Sequence, residues 1–393
     1  MILRLLACAL MTGLSFSTAL SQQDAPQRIR IATYNVSLYG KEAAEIRQRL
    51  SSADDTQAKD IARVVQTVRP DILLVNELDY DKDAQVATLL AKNYFAVGQS
   101  VADNETLRGI DYPYVYSAPS NTGVDSSLDL NKDGQLQTAN DAFGYGIYPG
   151  QYAMTIYSRF PIQDDQRRTF QTLKWSAMPG AIRPSSEGAS YYRDSTWRQL
   201  RLSSKNHLDV PVQVGKQTIH VLASHPTPPV FDGPEDRNGA RNHDEVMFWV
   251  HYIDAKSQDA DSTWIVDDLG NVGGLSSTEP FVVMGDLNAD PVDGNSRREA
   301  IRQLISHPRV NDVEPKATEE AISTRRSRYR GRGDLATKTA DWGRNLMRVD
   351  YVLPSVHLNV VGSGVFWPGD DDPREKWIRA SDHRLVWIEV QLP

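Results

Sequence analysis

The chain has 393 residues, 40% hydrophobic and 24% charged, which describes a globular protein with material for a sizeable core. A formal charge of −8 argues against a broad basic surface for holding nucleic acid, although a local groove can still be positive. The one cysteine is Cys8, so the chain beyond it has no disulfide, no thiolate metal site and no cysteine nucleophile.

The first segment, residues 1–21, has a basic start at Arg4, an apolar run, and small residues Ala19 and Ser21 before Gln22. That is the pattern of a secretory signal, and it predicts a secreted or periplasmic protein. A membrane anchor is the competing reading, but the apolar stretch is about 16 residues where a spanning helix needs roughly 20, so no stable anchor is expected after cleavage.

From residue 26 to 393 neither a fixed-period repeat nor a long low-complexity linker interrupts the chain, which reads as one domain and a monomer. Arg28 to Thr33 and Ile72 to Val75 have strand character. Between them Ile61, Val64, Val65 and Val68 recur at helical spacing until Pro70. Further strands are predicted at Ala153–Tyr157, Ile219–Ala223, Phe281–Met284, Val349–Leu353 and Leu385–Val390. Polar stretches at 99–150, 226–278 and 314–345 read as long loops around a working face.

Six of these segments finish in, or carry, a residue that handles metals or protons. They are RIRIATYN at Asn35, PDILLVNE at Glu77, IHVLASH at His225, FVVMGDLN at Asp286 and Asn288, RVDYVLP at Asp350, and ASDH at Asp382 and His383. Any one alone is an ordinary turn residue. The ordered set is not.

Its wording resembles the endonuclease/exonuclease/phosphatase (DNase I-like) superfamily over nearly the whole chain. The most specific pieces are GDLNADP (285–291) and SDHRLV (381–386), supported by ATYN (32–35), NELD (76–79), SRFPI (158–162) and RVDYVL (348–353). The resemblance implies an α/β fold, a four-layered αββα sandwich of two packed, mostly antiparallel sheets with the active site at one end. It implies a metal site at Asn35 and Glu77 for Mg²⁺ or Mn²⁺, with Asp382 at the metal's edge. Asp286 would orient or deprotonate the attacking water, and Asn288 would donate to the phosphate. His383 would contact the scissile phosphate with Asp350 fixing its tautomer, and His225 would be a general acid or phosphate donor.

Three weaker patterns remain. Asp129, Asn131, Asp133, Gln135 and Asn140 follow a calcium-loop template, with Gly134 at the turn, but Asn140 stands where a bidentate Glu belongs. Structural Ca²⁺ and a plain Asx-rich turn both stay open. The cluster Arg325, Arg326, Arg328 reads as a phosphate-binding patch or a solvated loop, and Arg237 and Arg241 as substrate contacts after His225. The expected function is exported, metal-dependent hydrolysis of phosphodiesters or phosphomonoesters by in-line water attack, with nuclease action on extracellular nucleic acid set first. Action on small or lipid-linked phosphate esters is the alternative, and a silent binding module of the same fold is the competing class.

Overall fold

Two sheets carry the architecture of the computed structural model, which describes residues 27–102, 105–254, 262–276 and 278–392. The expected signal segment, 1–21, lies outside the described residues. In chain order the strands are β1 (Arg28–Leu38), β2 (Ile72–Leu78), β3 (Tyr114–Ser117), β4 (Ala153–Ser158), β5 (Arg168–Thr169), β6 (His207–Val214), β7 (Gln217–Ser224), β8 (Phe281–Asp286), β9 (Asp350–Pro354), β10 (Asn359–Val365) and β11 (Val386–Gln391). One sheet runs β10-β11-β1-β2-β4-β3 and the other β9-β8-β7-β6-β5. Only β1/β2 and β7/β8 pair in parallel; the other neighbours in the two sheets are antiparallel.

Alternation along each strand puts one face of each sheet against the other. Ile29, Ile31, Leu74 and Ile156 from the first sheet meet Val210, Val221, Val282 and Val352 from the second in one buried cluster. Helices close the outer faces. Helix α1 (Thr56–Val68) lays Ile61, Val64, Val65 and Val68 on Ala32, Tyr34 and Val75. On the other side α2 (Arg237–Asp254) and α3 (Arg298–Ile305) cover Leu222, Val283 and Leu353 with Val246, Trp249, Ile301 and Leu304. Each fully buried aliphatic side chain contributes about 1.5–3 kcal/mol, so the three interfaces, rather than any single contact, hold the αββα sandwich together.

The stretch 226–278 is not all loop, because it contains the eighteen-residue α2. The helix escapes sequence reading because its buried face includes Asn242, Asp244 and Glu245 among the apolar residues, so the 3.6-residue stripe is partly written in polar letters. Likewise 99–150 contains β3, and 314–345 contains a short helix at Glu319–Ser323 and the hairpin Ala340–Trp342 with Asn345–Met347. Strand β6 was hidden by His207, Asp209 and Pro211, residues that usually argue against an inner strand. Among the described residues no helix is long and apolar enough to cross a membrane.

Candidate active site

The ends of β1, β2, β7 and β8, with the segment before β11, meet at one end of the sandwich. Two irregularities aim their side chains. Pairing of β1 with β2 shifts register between Asn35 and Leu38, and pairing of β2 with β4 shifts between Asn76 and Leu78. Glu77 sits within the second shift with φ 57, a left-handed conformation that costs a non-glycine residue about 1–2 kcal/mol. Strand β8 ends similarly, with Asn288 at φ 50. Gly285 is required before it, since a Cβ there would lie 2.0 Å from the Ser224 carbonyl oxygen.

Asp286 is the hub. Its Oδ2 accepts from Asn35 Nδ2 at 3.1 Å and faces His225 Nε2 at 3.4 Å and His383 Nε2 at 3.7 Å. Its Oδ1 accepts from the Asn288 backbone N–H at 2.9 Å. The same Asn35 amide donates to Glu77 Oε1 at 3.0 Å, and that oxygen is 3.9 Å from His225 Nε2. Asn35 thus turns its nitrogen, rather than its oxygen, toward both carboxylates, while Oδ1 accepts from the Ser37 backbone N–H at 3.1 Å. Asn288 Nδ2 donates to Pro226 O at 3.1 Å, tying the loop after β8 to the loop after β7.

His383 Nδ1 and Asp350 Oδ2 are 2.8 Å apart and buried. The loop that carries the histidine is fixed by Ser381, whose hydroxyl donates to Asn35 O at 2.7 Å and accepts from the His383 N–H at 3.0 Å. Asp382 uses both oxygens, accepting from Ser37 Oγ at 2.8 Å and Trp342 Nε1 at 2.7 Å. The Trp342 ring stands edge-on to the His383 ring, 5.5 Å between centroids.

Burial separates the protonation states. It pushes the Asp286 carboxyl up to about 7, with Asp350 and Glu77 adding to the rise against the pull of His383. Burial also raises Glu77, opposed by His383 and Asn35. For His383 burial acts downward, yet Asp350 and Asp286 outweigh it and hold the imidazole up at about 10. His225 is driven well below its ordinary value by burial, Lys205 and His383 together. Of the two histidines that face one carboxylate oxygen, His383 is therefore charged at neutral pH and His225 is not.

Two groups of side chains bring ligand atoms within 4.8 Å of one another, Glu77–His225–Asp286 and Asp286–Asp350–His383. The second is already joined by the His383–Asp350 hydrogen bond. The first presents two carboxylates and an imidazole nitrogen, a set able to take a divalent cation, while the Asn35 amide nitrogen between the carboxylates is a donor and not a ligand atom. Among the described residues the buried Nδ1 of His225 and Oδ1 of Asp350 have no hydrogen-bond partner.

The remaining predicted residues have partners of their own within the chain. Arg241 donates to the carbonyls of Arg201, Leu202 and Ser203 at 2.9–3.0 Å, and Arg237 pairs with Glu235. Arg325 is buried, donating to Ala321 O at 2.6 Å, and Arg328 grips both oxygens of Asp341 at 2.7 and 2.5 Å. Arg326 stays exposed, paired with Glu319 at 2.8 Å. In the 129–140 segment Asp129 accepts from the N–H groups of Asp133 and Gly134, Asn131 donates to Asp133, and Asp133 accepts from the Gln135 N–H. Asn140 lies in a short 3₁₀ turn, and the neighbouring Asp141 closes the loop onto Leu130 and Thr138.

Sequence reading missed Lys205, Asn242 and Glu245. Asn242 Nδ2 donates to Thr227 O at 2.9 Å and Leu287 O at 3.0 Å, and Glu245 accepts from Ser204 N and Thr227 N at 2.6 Å each. Nothing local marks these residues, since their partners are 15 or more positions away.

Residues 32–383 match the model of the Endonuclease/Exonuclease/phosphatase family. No curated protein matches the chain. Among solved structures it is similar to an endonuclease/exonuclease/phosphatase from Beutenbergia cavernae, at 17% identity and TM-score 0.48 over 93% of this chain and 72% of that one. A family protein from Leptotrichia buccalis is 14% identical with TM-score 0.45, over 93% and 99% of the two chains. The human Nocturnin catalytic domain with bound sulfate is 14% identical with TM-score 0.43, over 93% and 97%.

Proposed function

The chain belongs to the Endonuclease/Exonuclease/phosphatase family, and from that premise we propose that it is an exported, monomeric phosphoesterase that cleaves phosphodiester or phosphomonoester bonds by in-line attack of water. Family membership and the two ligand groups support metal-dependent hydrolysis in general terms. The observation that carries the finer reading is convergence on one atom, Asp286 Oδ2, of an amide donor, a neutral imidazole and a charged one.

Glu77 would hold Mg²⁺ or Mn²⁺, with Asn35 beside it and Asp382 at the edge. When bound, such an ion polarises the phosphoryl oxygen and stabilises the leaving oxygen. Asp286, lifted to about 7, is matched to take a proton from water near neutral pH. The attacking oxygen then bonds to phosphorus as the bond to the leaving oxygen breaks; the water proton passes to Asp286 and the leaving oxygen takes up a proton from solvent. His383, charged and anchored by Asp350, donates to a phosphoryl oxygen. Neutral His225 and the Asn288 amide supply further, uncharged N–H donors.

A second reading, action on small or lipid-linked phosphate esters, is favoured by one observation. Arg241, Arg325 and Arg328 are tied to the protein's own carbonyls and carboxylates, which leaves Arg326, Arg330 and Arg332 as the exposed arginines of the 325–332 stretch. A nuclease needs a basic track along a phosphate backbone. Structural Ca²⁺ at 129–140 is proposed on the oxygens of Asp129, Asn131 and Asp133, and is tested by Ca²⁺-dependent melting of Asp129→Ala.

The function is tested by assaying mature protein with and without EDTA on DNA, RNA, bis-p-nitrophenyl phosphate, p-nitrophenyl phosphate and sphingomyelin. Asp286→Ala and His383→Ala serve as controls. EDTA-sensitive turnover of at least one ester, lost in both variants, is expected; full turnover in either variant refutes the roles of Asp286 and His383 in the reaction.

A further inference from the structure

Lys205 lies at the site and has no task in the mechanism above. It precedes β6 and is 7% exposed. Among the described residues its Nζ makes a single hydrogen bond, to Pro226 O at 3.4 Å, which leaves two of the three ammonium protons without an acceptor there. The carboxylates of Glu245, Glu77 and Asp286 act on it through space, yet among the described residues none forms an ion pair with it. Burial lowers its pKa from the ordinary lysine value, against the pull of those three carboxylates toward the ammonium.

Its position is nonetheless tightly fixed. The Arg241 guanidinium holds the carbonyls of residues 201, 202 and 203, and Glu245 Oε1 accepts from the Ser204 N–H at 2.6 Å. Helix α2 therefore pins the segment up to the residue before Lys205. Pro226 O, the one acceptor of the ammonium, also accepts from Asn288 Nδ2 at 3.1 Å. Two donors on the same oxygen are neighbours, so the ammonium stands beside the Asn288 amide and next to His225, the residue before Pro226.

We propose that Lys205 is a substrate-binding residue whose ammonium takes a non-bridging phosphoryl oxygen next to the Asn288 amide. This rests on the phosphoesterase reading. An ammonium kept only as a counter-ion to the three carboxylates would close on one of them; this one is held short of all three, with two protons free. A phosphoryl dianion supplies the missing acceptors and gains a charge-assisted hydrogen bond in a site that excludes water.

The test compares wild type with Lys205→Met and Lys205→Arg. Calorimetry with inorganic phosphate, and separately with Mn²⁺, is run beside kcat/KM on the best ester of the panel. Lys205→Met is expected to weaken phosphate binding at least about tenfold and to lower kcat/KM by about 10²–10³, the scale of losing one donor to a developing oxyanion. Mn²⁺ affinity stays within about twofold, and Lys205→Arg recovers part of the phosphate affinity. Should Lys205→Met melt at the assay temperature, Lys205→Gln, which keeps a donor for Pro226 O, takes its place. Unchanged phosphate affinity in a folded variant without the ammonium overturns the proposal, as does a loss of activity accounted for by lost Mn²⁺ binding. Wild type that turns over no ester but binds phosphate through Lys205 refutes the enzymatic reading alone.

Discussion

Asp350 and His383 form a buried pair, Oδ2 and Nδ1 lying 2.8 Å apart across two chain segments, with the other Asp350 oxygen buried and without a hydrogen-bond partner among the described residues. The carboxylate holds the charged ring by its Nδ1–H and leaves the Nε2–H for the reaction.

Asp350→Asn should keep the fold, because the Asp350 backbone N–H is held independently by Thr339 Oγ1 at 3.0 Å. It should let the His383 pKa fall from about 10 toward the ordinary imidazole range and lower kcat/KM by about 10²–10⁴. Ring-nitrogen NMR across pH 5 to 11, run beside the assay, would show no movement if the pairing were incidental.

Glu77→Gln removes one of the two carboxylates around the Asn35 amide. The divalent-ion concentration for half-maximal activity should rise by at least about tenfold, since even loss of an outer partner costs about 10–100-fold in metal affinity. Mn²⁺ calorimetry on the variant provides the check, and an unaltered affinity would move the ion away from Glu77.

Asn242 braces both catalytic loops from behind. Asn242→Ala orphans the buried carbonyls of Thr227 and Leu287 and should cost about 1–3 kcal/mol of stability. It should also lower kcat with Mn²⁺ affinity preserved, because the loops of His225 and Asn288 lose their common support. Equal kcat in the variant, measured well below its melting temperature, would reduce the helix to scaffolding.

His207 is buried, with Nε2 donating to Glu245 O at 2.8 Å and Nδ1 accepting from Ser203 Oγ at 2.5 Å. Burial holds its pKa down at about 4 in the folded chain. The unfolded chain takes up the proton near 6.5, so the stability from the neutral ring is complete above that pH. It is lost as pH falls from about 6.5 to 4, by about 3 kcal/mol in all, and changes no further below. Urea melts of wild type and His207→Gln at pH 7 and pH 4 should show a steeper acid loss in wild type; parallel losses would exclude this histidine as the cause.

Much of the candidate site was legible because hydrolytic chemistry forces particular side chains to strand ends: Asn35, Glu77, His225 and Asp286 are each found where an apolar run stops, and His383 just before one begins. The supporting residues were not legible, and for a physical reason. Asn242 and Glu245 act on backbone groups of loops brought close only by packing of α2 on the second sheet, so nothing beside them in sequence records the partner. Lys205 stands among ordinary polar residues before a strand whose Pro211 and Asp209 disguise it. The arginines illustrate the converse: their abundance between 325 and 332 suggested a ligand, while the structure spends Arg325 and Arg328 on internal acceptors.

The pairing of β1 with β11, from Arg28 opposite Gln391 to Thr33 opposite Val386, joins the first of the described strands to the last. A contact of such high sequence separation forms late and slowly. During synthesis the first strand waits, one edge open, until the last has emerged. Any product that stops short of residue 386 would present bare edges on both β1 and β10, a template for aggregation rather than a smaller enzyme.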